Sequence, residues 1–171
     1  MNDLDSLNLG LLILRVVVGL TLAAHGYNKF FGGGKIPGTA RWFDSMGMRP
    51  GKIQALAAAS MELGSGVFLA AGLLTPLAGA GFVGLMFVAF YTVHRPNGFF
   101  IVKQGYEYNV VLAIIGVSVS VIGAGQWSLD HSLGIMTDLN GLVGLALSAG
   151  LGLVGAVTLL AACYRPPAKT E

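Results

Sequence analysis

Two stretches of this chain place ionisable groups where their neighbours suit lipid. LILRVVVGLTLAAHGYNKF, residues 12–30, carries Arg15 and His25, and AAASMELGSGVFLAAGLL, residues 57–74, carries Glu62. A charge in the hydrocarbon core costs at least ~2.5–3.5 kcal/mol even on the most lenient scale, so such a group is kept for a partner or for a task. Arg15 and Glu62 can serve as a buried ion pair that fixes helix register, or as a proton or anion element. A second cluster gathers where apolar runs end: His25, Tyr27 and Asn28, then Tyr91 and His94, then Glu107, Tyr108 and Asn109. Imidazole, phenol and carboxylate near an interface exchange protons and hydrogen-bond a small head, which suits a quinone headgroup and equally a plain polar interfacial layer. Haem held by both histidines is disfavoured, because their expected depths differ by about 9 Å. Cys163 is the lone cysteine, so neither an internal disulfide nor a C-x-x-C pair can form. There is no P-loop, no metal-ligand spacing and no nucleophile beside an evident base. Redox chemistry here would have to borrow a cofactor or a partner.

The elements that must hold these groups follow from composition. Hydrophobic residues make up 54% of the 171, charged residues 11%, and glycine fills 26 positions. That describes an all-α, polytopic membrane bundle and excludes an ordinary soluble domain. At roughly 20 apolar residues per span, five spans are expected, at 7–31, 53–74, 77–94, 106–122 and 139–164, in a single domain over 1–164 followed by a tail at 165–171. The N-terminal MNDLDSLN is acidic where a signal peptide is positive, so the first span is expected to be retained. TARWFDSMGM, between the first two spans, predicts a short interfacial helix offering Trp42, Phe43 and Met46 to the headgroups, and FFIV at 99–102 is apolar enough to dip into the surface. Apart from Arg15, the basic residues fall in the first and third connections and the tail (Lys29, Lys35, Arg41, Arg49, Lys52, Arg95, Lys103, Arg165, Lys169), whereas Asp3, Asp5, Asp130 and Asp138 fall on the other side. The positive-inside rule then predicts an outer N-terminus and a cytoplasmic C-terminus. The basic loops are explained by topology, and no nucleic-acid partner is expected.

Helical spacing arranges the faces. Arg15, Gly19, Leu22, Gly26 and Lys29 form one stripe, and Ala55, Ala58, Glu62, Ser65 and Gly66 form another. Both contain small residues that let helices approach, and Arg15 and Glu62 each lie about 8–9 residues inside their spans, so the two are expected to pair. The last span lines up Gly141, Gly144, Ser148, Gly152 and Gly155. This is a packing seam, either within the protomer or against a partner helix, from another subunit or a second copy.

LRVVVGLTLAAHGYNKFFGGG, the Glu of AAASMELGSGVFLAAGLLTP, the Gly-Tyr-Glu of KQGYEYNVVLAIIGVSVSVIGAGQWSLD and its closing Ser-Leu-Asp, taken in order over residues 8–131, resemble the DoxX family of small bacterial membrane proteins. The resemblance implies a bacterial plasma-membrane protein with a four-helix core like the small membrane subunit of thiosulfate:quinone oxidoreductase, in a family tied to sulfur and thiol redox and to oxidative-stress defence. The fifth span goes beyond that core, and Gln126-Trp127 stands where a basic residue is commoner. Ser128 and Asp130 are expected to cap or bend a turn. Three functions stay open. One is a quinone-facing subunit of a redox complex, with His25, Tyr27, His94, Glu107 and Asn109 near the headgroup. Another is a non-catalytic accessory subunit of a larger membrane complex, for example a respiratory one. The third is a small solute carrier, for which neither interrupted spans nor inverted repeats speak.

Overall fold

Helix α1 (Asp3–Phe31) starts at a capping box, in which Asn2 Oδ1 accepts from the Asp5 backbone N–H at 2.8 Å and Asp5 reaches back to Asn2. Acidic residues in its first turn and Lys29 in its last complement the helix dipole. The computed structural model describes residues 2–135 and 138–167, so Lys169 lies outside the described residues. After a short turn, α2 (Lys35–Met46) lies across the start of α3 (Gly51–Ala71), burying Ala40, while the Asp44 carboxylate accepts the Gly51 N–H at 2.8 Å.

α1 and α3 are packed through glycine. Gly19 faces Gly66 and Ala70, and Gly26 faces Ala59 and Leu63, so closely that a β-carbon at either glycine would strike the facing backbone. This contact sets the register of the first two spans. α3 stops at Gly72 in the left-handed region (φ +63), and the chain turns through Leu74, also left-handed, into α4 (Thr75–Ala89) with Pro76 in its first turn. α4 runs on through a π-helical turn, Phe90–His94, and a 3-10 turn, Arg95–Asn97. α5 (Glu107–Ile122) returns, α6 (Leu129–Leu133) is a short turn, and the last span is α7 (Gly141–Leu145), a π-helical segment (Ala146–Leu151) and α8 (Gly152–Cys163).

Four of these rods, Asp3–Phe31, Gly51–Ala71, Thr75–Asn97 and Gly141–Cys163, are long and apolar enough to cross a membrane. α5 is shorter, at 16 residues or about 24 Å. The expected helical membrane bundle, with a fifth helix beyond a four-helix core, is therefore present. α1 packs on α3, α3 on α4, α4 on α5, and the last span lies against α4 and α5. Val18, Leu22, Leu69, Phe82, Met86, Leu112 and Val119 fill the centre. The end of α8 is clasped by the α2–α3 linker, with the Arg49 N–H donating to Cys163 O at 2.9 Å and the Arg165 N–H to Gly47 O at 2.8 Å. The last span thus finishes at the end that carries α2 and the basic connections, here called the basic end; α1 begins at the N-terminal end.

Candidate functional site

The predicted pairing of Arg15 with Glu62 is not what the structure contains. Glu62 is paired with Lys29, whose Nζ lies 2.6 Å from both carboxylate oxygens. The register explains the correction. With Gly26 opposite Ala59 and Leu63, Glu62 stands level with the His25 turn of α1, and Arg15 stands level with Gly72. Ten residues of α3, about 15 Å, separate those levels. Counting depth from guessed span boundaries hid this offset, although Lys29 already belonged to the stripe facing α3.

Arg15 instead closes the N-terminal end. It is fully buried; Nη1 donates to Ala70 O at 3.3 Å, Nη2 donates to Trp127 O at 2.7 Å, and the guanidinium packs on Gly72. Around it the polar groups are matched. The Asp130 carboxylate accepts from the Leu74 N–H (2.7 Å), the Thr75 N–H (3.0 Å) and the Thr75 hydroxyl (2.6 Å), which caps α4 and holds the left-handed Leu74. Ser128 caps its own turn by accepting from the His131 N–H at 3.2 Å. Asn8 bonds Gln126 through both ends of its amide. Ser128 and Asp130 are caps, as expected, but Asp130 caps an element 55 residues away.

Towards the basic end a cleft of about 650 Å³ opens among α1, α2, α3, α4, α5 and α8, within the range of small-molecule sites. Its walls are mostly apolar, and four of the six methionines line it: Met46, Met48, Met61 and Met86. Its polar groups are the Lys29–Glu62 pair, Gln54, His25, Thr92, His94, Tyr108 and Asn109. His25 Nε2 and the Tyr108 hydroxyl meet at 3.4 Å. Asn109 is only 5% exposed, and its amide N–H₂ contacts the Met86 sulfur at 3.6 Å. Its Oδ1 is buried with no hydrogen-bond partner among the described residues.

Of the proposed interfacial cluster, the cleft gathers His25, His94 and Asn109. Tyr27 and Glu107 do not join them. Tyr27 is 59% exposed and stacks on Phe31 at 4.7 Å, because it sits two residues from His25 and so on another helix face. Glu107 folds its carboxylate back onto the Ile101 N–H at 3.0 Å to hold the connection before α5. His94 Nδ1 is engaged by Gln104 O at 2.7 Å, which fixes the ring at the cleft's rim. Tyr108, of the same cluster, also lines the cleft, whereas Lys29 and Gln54 were missed as cleft residues, though the stripe through Lys29 was a visible signal. Trp42, Phe43 and Met46, expected to face headgroups, line the cleft, with Trp42 still 49% exposed, because α2 is held down on α3.

The glycine seam divides. Gly144 meets Ser120, Ser148 is fully buried, and Gly152 meets Ala80 and Val83, so these three pack inside the protomer. Gly141 and Gly155 have open space where a side chain would stand, and Gly155 lines the cleft.

Comparison with known proteins agrees with the architecture. A protein from Bacillus subtilis (strain 168) named "Putative oxidoreductase CatD" is 30% identical over 125 residues, which cover 73% of this chain and 87% of that protein. No solved structure matches the chain. The DoxX family model matches residues 10–95, from α1 to the turn that ends α4. With half the chain under that model and most of it aligned to the Bacillus protein, the chain belongs to the DoxX family of membrane proteins.

Proposed function

We propose that this protein is the quinone-facing membrane subunit of a redox complex in the bacterial plasma membrane. The observation that carries the reading is the cleft at the basic end, whose apolar walls surround a few proton-exchanging groups and one buried, unpartnered amide oxygen, Asn109 Oδ1. A buried acceptor left unpaired costs about 1–3 kcal/mol, so its retention speaks for a ligand that satisfies it. The residues present fit a quinone. His25 and the Tyr108 hydroxyl offer a donor pair for one ring oxygen, the Asn109 amide serves another, and the methionines give a compliant wall for a flat ring. When bound, a quinone supplies a two-electron carrier that takes up two protons on reduction. Lys29 orients the Glu62 carboxylate on the cleft wall, the His25–Tyr108 pair stands beside the ring, and the apolar walls keep bulk water from it.

The electrons come from a donor subunit, for which the basic end, with α2 and the connection at 95–106, is the docking face. By the positive-inside rule that face is cytoplasmic and the N-terminus is outside. The name of the Bacillus relative, an oxidoreductase, is in keeping with this role. Trp42 lines the cleft, so quinone binding can be read directly from its fluorescence. With Trp127 replaced by Phe, duroquinone should quench Trp42 saturably, and His25→Ala with Tyr108→Phe should weaken binding about tenfold, the effect of losing one or two hydrogen bonds to the ring. Linear, unsaturable quenching in the otherwise unchanged protein would remove the quinone reading.

A further inference from the structure

The cleft is longer than a headgroup needs. It follows α4 from Leu77 to His94, about 25 Å at 1.5 Å per residue. Its ionisable and amide groups stand on α1, α3, α5 and the turn after α4, with none on the last span. Towards the gap between α3 and α8 the floor is Ala80 and Gly84, one wall is Ala58 and Met61 of α3, and the other is Gly155 and Leu159 of α8. α3 and α8 both pack on α4 and much less, if at all, on each other. The channel between them therefore opens to one side of the bundle.

We propose that this channel holds the hydrocarbon tail of a membrane-dissolved quinone, and that the last span forms its second wall, so the ligand enters from the bilayer and not from water. The inference rests on the quinone reading above and adds the tail, the route and a role for the helix beyond the four-helix core. Three observations support it. The apolar channel is continuous with the polar cluster and with the unpartnered Asn109 Oδ1, so head and tail are served by one cleft. A volume of about 650 Å³ suits a single small amphiphile. The gap between its walls is uncovered, with Met61 of α3 52% exposed and Gly155 of α8 exposed. Within a membrane the tail gains little by leaving lipid, so its recognition is a matter of fit against small wall residues, and a bulky side chain in the channel should be decisive.

Gly155 is the place for that side chain, because a β-carbon there meets nothing within 4 Å. The experiment uses the full chain carrying Trp127→Phe in lipid nanodiscs, with quenching of Trp42 by decylubiquinone, which has a tail, and by duroquinone, which has none. Gly155→Leu should keep the melting temperature, weaken decylubiquinone binding by about tenfold and leave duroquinone binding within about twofold. Ala58→Leu, on the facing wall, should do the same, so a folding defect at one site does not decide the matter. Unchanged decylubiquinone binding in both variants would overturn the tail channel while leaving the headgroup site intact. Loss of both ligands together would place the channel residues at the head and also overturn it. Saturable binding of neither ligand to the unblocked protein would sink the headgroup reading itself. Displacement of decylubiquinone by palmitate, with duroquinone never binding, would make the channel an acyl-chain site and overturn the quinone. A change of oligomeric mass in Gly155→Leu with both affinities intact would mark the wall as a contact between copies instead.

Discussion

The two ends of this bundle both bury polar groups, yet they are built on opposite plans. At the N-terminal end Asp130 accepts three hydrogen bonds, Asn8 uses both ends of its amide, and Arg15 is gripped by two carbonyls with only its Nε unpartnered among the described residues. A cavity of about 300 Å³ lies there too, but the polar atoms of Asn8, Thr75 and Asp130 on its wall are already bonded to one another's segments. At the basic end the His25–Tyr108 contact is long, Asn109 Oδ1 is unpartnered, and the cleft is about twice as large. A network dense in short bonds locks the chain; a sparsely bonded one leaves bonding capacity for something else. The first end ties four segments together, and the second is the place to look for a ligand.

The comparison breaks most visibly at Asp130. Asp130→Ala strands the Leu74 and Thr75 N–H groups and the Thr75 hydroxyl. Losing several bonds to a buried charged acceptor should cost about 3–5 kcal/mol, measured as thermal or denaturant unfolding in detergent. A loss below about 1 kcal/mol would mean that the N-terminal end is not the lock described here.

The Lys29–Glu62 pair sharpens the contrast. Lys29→Met alone leaves a carboxylate in an apolar wall and should cost about 1–3 kcal/mol, whereas Lys29→Met with Glu62→Met should return most of that stability, since apolar replacement of a desolvated pair is often neutral. The double variant should nevertheless lose quinone-dependent quenching of Trp42. Full retention of binding would make the pair purely structural.

Much of this fold was legible because periodicity and span length are strong signals. The stripes through Gly19, Gly26 and Gly66 were visible as faces, and they do pack. What could not be read was the axial offset between two faces. A stripe fixes which side of a helix is inward but not how far one helix slides along another, and here the slide was set by which glycine meets which backbone. That is why Arg15 was matched to Glu62 when Lys29, in the same stripe, was the partner. The same limit applies to Asp130, which read as a cap for its own turn while its carboxylate serves α4. The glycine seam of the last span was ambiguous for a related reason. Its inner half meets α4 and α5, and Gly155, on the same line of sequence, is open.

The assignment of ends to membrane sides carries no energetic penalty to read, only labelling. In a Cys163→Ser background, cysteines at Asp5 and Asp138 should react with an impermeant thiol reagent from outside intact cells, while cysteines at Lys35 and Lys103 should react only after permeabilisation. The reverse pattern would turn the cleft towards the outside and remove the cytoplasmic docking face.

The most direct test of the account is Asn109→Leu, measured twice on one preparation: by thermal unfolding and by quinone quenching of Trp42 with Trp127→Phe. If the amide oxygen is held unpaired for a ligand, removing it relieves a buried unsatisfied acceptor, so stability should stay level or rise by up to about 1 kcal/mol while quinone affinity falls by about tenfold. A variant that melts earlier and binds the quinone as before would contradict the account, because Asn109 would then belong to the bundle's own packing and the basic end would be no less saturated than the other.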